Sequence, residues 1–319
     1  MIAQGAVPLL FVDRPLPGGV AELAAARCVL CGPEPGELAA AVGVIAGPDR
    51  WDASRFDGAP LVRVLSRSGI GYDNVDVEAA TERGIVVCNA PEAPTVSTAE
   101  HAVAMMLAAA KRLVPNQLRL RAGSGSYVQV NDGIELDGRT LGLVGYGRIA
   151  RRAHRVAVAL DMTVIANDPY APAADRALVE LVGFDELLAR ADVISLHAPL
   201  TPATRHMLDA AAFSAMGHGV VIVNAARGGL VDHDALLGAL ETGQVGAAAL
   251  DVTEPEPLPL DHPLLQRDDV IVTPHIASAT VAGRLRLYQH AIDNALAVLA
   301  GGRPTSIVNP HVLDRERPA

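Results

Sequence analysis

The stretch that most constrains this chain runs from Leu141 to Pro169, LGLVGYGRIARRAHRVAVALDMTVIANDP. A short apolar run, Leu141 to Val144, reads as a buried strand. The turn Gly145-Tyr146-Gly147-Arg148-Ile149-Ala150 follows, then a helix to Leu160 and a second strand from Met162 to Ala166, with Asp168 just beyond it. Gly145 allows a tight turn, and Gly147 lets backbone approach a pyrophosphate. Ala150 lets helix and strand pack closely, and the helix N-terminus offers unpaired N–H groups and positive dipole to phosphate. Asp168 is placed to accept both hydroxyls of an adenosine ribose, and its charge repels a 2′-phosphate. A glycine turn alone says little; between a strand and a helix, with an acid ending the next strand, it reads as an NAD site.

The rest of the chain supplies two such layers. Its 319 residues suffice for about two domains. Aromatics are only 3% of the chain, so the cores are aliphatic. Before residue 100, apolar runs at Leu9–Val12, Cys28–Leu30, Val42–Ala46, Leu61–Leu65 and Ile85–Cys88 alternate with helix-like pieces such as Val77–Arg83, the pattern of an open parallel sheet covered by helices. STAEHAVAMMLAAAKR, Ser97 to Arg112, reads as one long helix, with Ser97 as N-cap and Glu100 completing a capping box. A glycine-rich loop, Gly123 to Gly133, leads to the glycine-turn strand. Further strands are expected at Val193–Leu196, Val220–Asn224, Ala247–Leu250 and Val270–Thr273, with helices near Asp232–Glu241 and Thr280–Ala300 and a short tail. The two long helices are natural crossing points between domains, which makes the first domain discontinuous.

A net charge of −10 without any basic run argues against a nucleic-acid partner. Cys28, Cys31 and Cys88 are too few for a disulfide framework. The Cys28–Cys31 pair lacks a second Cys or His pair for zinc, so it reads as structural thiols and no metal is expected. The N-terminus has no basic region before its apolar stretch, which Pro8 and Asp13 break, and no apolar run has membrane length. The expectation is a soluble cytoplasmic protein.

Three polar residues follow successive strands of the second half, the edge at which open α/β sheets bind ligands. Arg227 follows VIVNAA and precedes two glycines, Glu256 lies in LDVTEPEPLP, and His275 lies in VTPHIASAT. Each alone has a plain structural explanation, as a surface ion pair, a loop acid or a helix cap. Together they suit reduction of a 2-oxo acid. Arg offers a planar fork to carboxylate and carbonyl, imidazolium a proton near neutrality, and a carboxylate beside the ring orients it and favours its charged form. Asp232, Asp234 and Glu241 read as a helix start and a solvated face.

With these motifs in view the chain resembles the D-isomer-specific 2-hydroxyacid dehydrogenase family along nearly its whole length, through SGIGYDNVDVEAATERGI, STAEHAVAMML, LGLVGYGRIA, NAARGGLVD, ALDVTEPEP and TPHIASAT. The resemblance implies an α/β fold of two doubly wound parallel-sheet domains, Rossmann- and flavodoxin-like, joined by two long crossing helices. A discontinuous substrate-binding domain is expected at 1–100 plus 286–319, and an NAD-binding domain at 101–285. By the same match Arg227 binds substrate, His275 is the acid/base, Glu256 is its partner, and the backbone of Gly69 and Ile70 holds the substrate carboxylate. The resemblance further implies that Gly145, Gly147, Arg148, Ile149, Asp168, Ala226, Asp251, His275 and Ala277 line the cofactor, and that the protein is a homodimer, since the family usually dimerises through the nucleotide-binding domain.

LDVTEPEPLPLDHPLL and HIASAT look most like the glyoxylate/hydroxypyruvate reductase branch. Against that branch, Thr253 stands where many members carry Phe or Tyr, and Tyr127 stands near a Trp of others. Asp168-Pro169-Tyr170 replaces the basic residues that NADP requires, so NAD is expected in preference to NADP. D-3-phosphoglycerate dehydrogenase is the alternative; Arg63 and Arg67 are the close candidates for its phosphate. Family members of that type often add a regulatory domain, for which the chain ends too early. An NAD-sensing corepressor of the C-terminal-binding-protein type also shares fold and triad, and formate dehydrogenases carry Gln at the position of Glu256.

Overall fold

The computed structural model describes residues 7–16, 18–124 and 133–314. The chain divides into two compact units, residues 1–95 with 279–319, and residues 96–278. The first unit holds five parallel strands, β1 (Leu9–Val12), β2 (Val29–Cys31), β3 (Gly43–Ala46), β4 (Val64–Arg67) and β5 (Val86–Cys88), in the order β2-β1-β3-β4-β5. The second holds seven, β6 (Thr140–Val144), β7 (Thr163–Asn167), β8 (Glu180–Leu181), β9 (Val193–Leu196), β10 (Val220–Asn224), β11 (Val245–Leu250) and β12 (Val270–Val272), in the order β12-β11-β10-β9-β6-β7-β8. The strand pairs of both sheets are parallel. In each sheet the order reverses beside the first strand, the doubly wound arrangement that opens a crevice at the carboxyl edge.

Strands such as VVIVN and GVIA are buried throughout, and almost wholly apolar, because both faces are covered. Alternate residues enter opposite cores. In the second unit Leu141, Leu143 and Val223 pack with Met105, Met106 and Ala109 of the helix Thr95–Ala110, while Ile194, Ile222 and Leu250 pack with Phe213, Leu236 and Leu240. In the first unit Leu10, Ile45 and Val64 meet Ala291, Ile292 and Ala295 of the helix Val281–Leu299, and Phe11, Val44 and Leu65 meet Trp51 and Phe56 on the other face.

Several local expectations move. Ser97 does not cap the long helix: the helix starts at Thr95, and Ser97 is a buried interior residue. Pro94, with φ already near the helical value, starts the turn earlier than the capping-box signal suggests. The helix ends at Ala110, Arg112 turns left-handed at φ +55°, and a second helix, Leu113–Arg121, fills what reads as the run into a loop. β4 begins at Val64 rather than Leu61, which lies exposed in the turn after Pro60. β2 is shifted by one residue and β11 begins earlier, at Val245. Thr280 caps its helix through Oγ, which accepts from the Gly283 N–H at 3.0 Å. Most of the glycine-rich loop, including Tyr127, lies outside the described residues. Cys28, Cys31 and Cys88 are free thiols, and burial pushes Cys88 up to about 12.

Candidate active site

The glycine turn follows β6. Gly145 adopts φ +90°, and a Cβ there would sit 2.9 Å from the His197 carbonyl, so both conformation and space demand glycine. Its N–H donates to the Asn167 carbonyl at 2.8 Å. Gly147 is the N-cap of the helix Arg148–Ala159, with open space where a side chain would stand. Ala150, fully buried, lets that helix close on the sheet. Asp168, one residue past β7, accepts from the Tyr146 N–H through Oδ2 and from the Tyr170 N–H through Oδ1, both at 2.9 Å. Those two bonds fix the carboxylate at the end of β7 and leave each oxygen a lone pair for a ligand hydroxyl. Tyr146 is pinned below, its hydroxyl 2.7 Å from His154 Nδ1 and its ring under Arg151, which pairs with buried Asp175. Open backbone over a helix N-terminus beside a fixed acid fits a dinucleotide pyrophosphate and ribose.

Arg227, Glu256 and His275 follow β10, β11 and β12 respectively, on one sheet edge. Asn224, fully buried at the end of β10, shapes the Arg227 loop: its Oδ1 accepts from Ala226 N–H at 3.0 Å and its Nδ2 donates to the Arg227 carbonyl at 2.9 Å. Arg227 Nη1 donates to the Ala226 carbonyl at 2.7 Å. A Cβ on Gly228 would come within 2.1 Å of the Thr253 carbonyl, so only glycine lets the loops after β10 and β11 touch. His275 Nδ1 lies 2.6 Å from Glu256 Oε1, with both side chains about two-fifths exposed. An imidazole so held presents Nε2 as its free proton-carrying atom.

Two further acids support this pair: Asp251, expected only as a cofactor-lining residue, and Glu254, which carried no signal in the sequence. Asp251, buried at the end of β11, accepts from Thr273 Oγ at 2.6 Å, Ile276 N–H at 2.9 Å and Ala277 N–H at 2.8 Å, with His101 Nε2 at 3.3 Å. Burial alone would raise its pKa; these hydrogen bonds outweigh it and hold the carboxyl below the usual range. Asp251 therefore braces the loop that bears His275, whose own φ is +52°. Glu254 accepts both arms of Arg205 at 3.0 Å and His206 Nε2 at 3.1 Å; burial again raises its pKa, and these bonds prevail to lower it. That ion cluster fixes the loop bearing Glu256. His101 stands inside STAEH, so the motif was visible although its partner was not.

In the first unit Gly69 and Ile70 follow β4. The Gly69 carbonyl accepts from Ala90 N–H and the Ile70 carbonyl from Asn89 Nδ2, each at 2.8 Å. Arg67 holds Asn74 Oδ1 through Nε at 3.3 Å, and its Nη1 would stand 2.8 Å from a Cβ on Gly69. Arg63 is at the opposite, amino end of β4, where its carbonyl accepts from Val86 N–H; strand polarity removes it as a phosphate candidate beside Gly69. Among the described residues no group of three or more His, Cys, Asp or Glu is placed to hold a metal, and no helix is long and apolar enough to cross a membrane.

Residues 103–277 match the family model described as D-isomer specific 2-hydroxyacid dehydrogenase, NAD binding domain. The D-3-phosphoglycerate dehydrogenase of Archaeoglobus fulgidus is 44% identical over 246 residues, 76% of this chain and 46% of that protein. The chain spans about half the length of the curated relatives it matches. The crystal structure of TT0316 protein from Thermus thermophilus aligns with TM-score 0.86 at 38% identity, over 94% of this chain and 99% of that one. A glyoxylate reductase from Paecilomyes thermophila aligns with TM-score 0.85 at 29% identity, over 96% and 99%.

Proposed function

This chain belongs to the D-isomer-specific 2-hydroxyacid dehydrogenase family, and from that premise we propose that it is an NAD-dependent oxidoreductase interconverting D-3-phosphoglycerate and its 2-oxo acid. The observation that carries the substrate is Arg67, whose guanidinium lies against Gly69 beside the N–H groups assigned to the carboxylate. The names of the curated relatives at about 44% identity support it. They outweigh the branch motifs LDVTEPEPLPLDHPLL and HIASAT, which favour a glyoxylate/hydroxypyruvate reductase. That second reading keeps the support of the glyoxylate reductase fold, matched over almost its whole length at lower identity.

Residues 96–278 form the nucleotide-binding unit and residues 1–95 with 279–319 the substrate unit. Gly145, Gly147, Arg148 and Ile149 hold the pyrophosphate, Asp168 the ribose, and Ala226, Asp251, His275 and Ala277 the nicotinamide end, with Asp251 acting from beneath through the 275–277 backbone. Bound NADH supplies the hydride for substrate C2. His275 Nε2 gives its proton to the carbonyl oxygen in reduction and takes it back in oxidation. Glu256 on Nδ1 orients the ring and stabilises the imidazolium. Arg227 binds the carboxylate and the oxygen on which charge develops. Gly69 and Ile70 offer N–H groups that make no hydrogen bond among the described residues. Asp168 disfavours a 2′-phosphate and so NADP. The working protein is a cytoplasmic homodimer joined through the nucleotide-binding unit.

The test follows NADH oxidation by absorbance with 3-phosphohydroxypyruvate, hydroxypyruvate, glyoxylate and larger 2-oxo acids, with NADPH in parallel and D-3-phosphoglycerate plus NAD for the reverse. Arg67→Ala should raise KM for the phosphorylated acid about 10-fold or more, the worth of a charge-assisted hydrogen bond, and leave glyoxylate unchanged. Equal turnover of glyoxylate, indifferent to Arg67, favours the reductase. Tight NADH binding without turnover of any acid favours a sensor.

A further inference from the structure

The loop Ser68–Gly71 is shaped by residues far away in sequence. Gly69 and Ile70 give their carbonyls to Ala90 N–H and Asn89 Nδ2. In a planar trans peptide the N–H points opposite to the C=O, so the first bond turns the Ile70 N–H, one of the two assigned to the carboxylate, and the second turns the adjoining Gly71 N–H, both away from the 89–90 segment. Asn89 is itself held through its side-chain oxygen and its carbonyl. Its Oδ1 accepts from Ser306 Oγ, and its carbonyl accepts from Asn294 Nδ2 at 3.0 Å. Asn294, 1% exposed, accepts in turn from Thr305 Oγ at 3.1 Å, and Thr305 Oγ lies 3.0 Å from His290 Nε2. The outer end of this network opens on a cavity of about 500 Å³ lined by His290, Asn294 and Thr305.

A buried amide whose oxygen and nitrogen are both engaged is held to one orientation, because turning it over leaves donors or acceptors unpaired at about 1–3 kcal/mol each. We infer that Asn89, clamped by Asn294 and Ser306, is a positioning residue for substrate recognition: the bracket sets the direction in which the 69–71 loop offers its N–H groups to the substrate carboxylate. The inference rests on the assignment of that loop to the carboxylate. It predicts that the segment after the last long helix governs substrate affinity without touching substrate.

The experiment uses the whole chain and three variants, Asn89→Ala, Ser306→Ala and Ser306→Thr. Ser306→Ala removes one hydroxyl at a half-buried position and so leaves the fold intact should Asn89→Ala fail. KM for the 2-oxo acid, kcat and the NADH Kd are measured alongside amide hydrogen exchange of peptides covering 68–72. Both alanine variants should raise KM about 5- to 20-fold, keep kcat within threefold and NADH Kd within twofold, and speed exchange at 68–72. Ser306→Thr, which keeps the hydroxyl, should behave as the native protein. Unchanged exchange in Ser306→Ala, or a threonine variant as impaired as alanine, overturns the bracket. Faster exchange with unchanged KM shows instead that the loop does not hold the carboxylate, which is failure of the assignment beneath it.

Discussion

At the scale of single residues, the proposed site divides into groups that would meet substrate and groups that would aim them. Arg227→Ala should raise KM and lower kcat together in steady-state assays, because in the proposed site one guanidinium would serve both the ground-state carboxylate and the developing oxyanion. His197 gives a prediction on stability. It follows β9 beside the glycine turn, with Nε2 3.0 Å from Ser195 Oγ, and burial pushes it down to about 4. The unfolded chain therefore binds a proton near pH 6.5 that the folded chain refuses, so stability falls as pH drops through 6.5 towards 4. By pH 5 this amounts to about 2 kcal/mol. His197→Gln should lose about that much less between pH 7.5 and pH 5 in denaturant titrations; an identical pH dependence would refute the assignment. Arg227, Glu256, His275 and Asp168 were legible at this scale because each follows a strongly apolar strand. Asn89 and Asn224 were not, and Asp251 was named only as a cofactor-lining residue, since a buried amide or carboxylate differs from a surface one only in what folds around it.

At the scale of elements, strand–turn–helix units carry their own instructions. Gly145→Ala should destabilise the second unit by about 2 kcal/mol or more, from a left-handed alanine and a Cβ pressed on the His197 carbonyl. It should also weaken NADH binding, measured by fluorescence titration. Normal NADH affinity in a folded Gly145→Ala protein would contradict the binding effect, and an unchanged denaturation midpoint the strain. β9 and β10 were readable at their observed bounds, and β3 and β7 to within one residue, as largely apolar runs. Errors fell where two local signals compete: Ser97 offers a cap, yet Pro94 starts the helix first, and Leu61 extends an apolar run that the Pro60 turn excludes from the sheet.

At the scale of the whole molecule, the first unit depends on a chain that leaves at residue 95 and returns at 279. The returning tail is more than an end. Ile307 bridges Cys88, Val308 N–H donates to the Val87 carbonyl, and buried Asn309 holds Val87 N–H, the Ile85 carbonyl and Thr81 Oγ. Asn309→Ala should cost about 2–4 kcal/mol by orphaning those groups, lowering the first unit's thermal transition while NADH affinity stays within twofold. A shift in NADH affinity as large as the loss of stability would place Asn309 elsewhere in the energetics. The amino-acid sequence by itself determined the parallel α/β class, the glycine turn with its acid, and the three polar residues that end successive strands. Those follow from periodicity and from backbone space, which are local. Only the tertiary structure decided that Glu256 meets His275, that Asp251 braces the histidine loop, that Arg67 rather than Arg63 stands by Gly69, and that Asn294 and Ser306 clamp Asn89. Hydrogen bonds such as that between Asn309 and Thr81, 228 positions apart, leave no periodic trace in the chain that makes them.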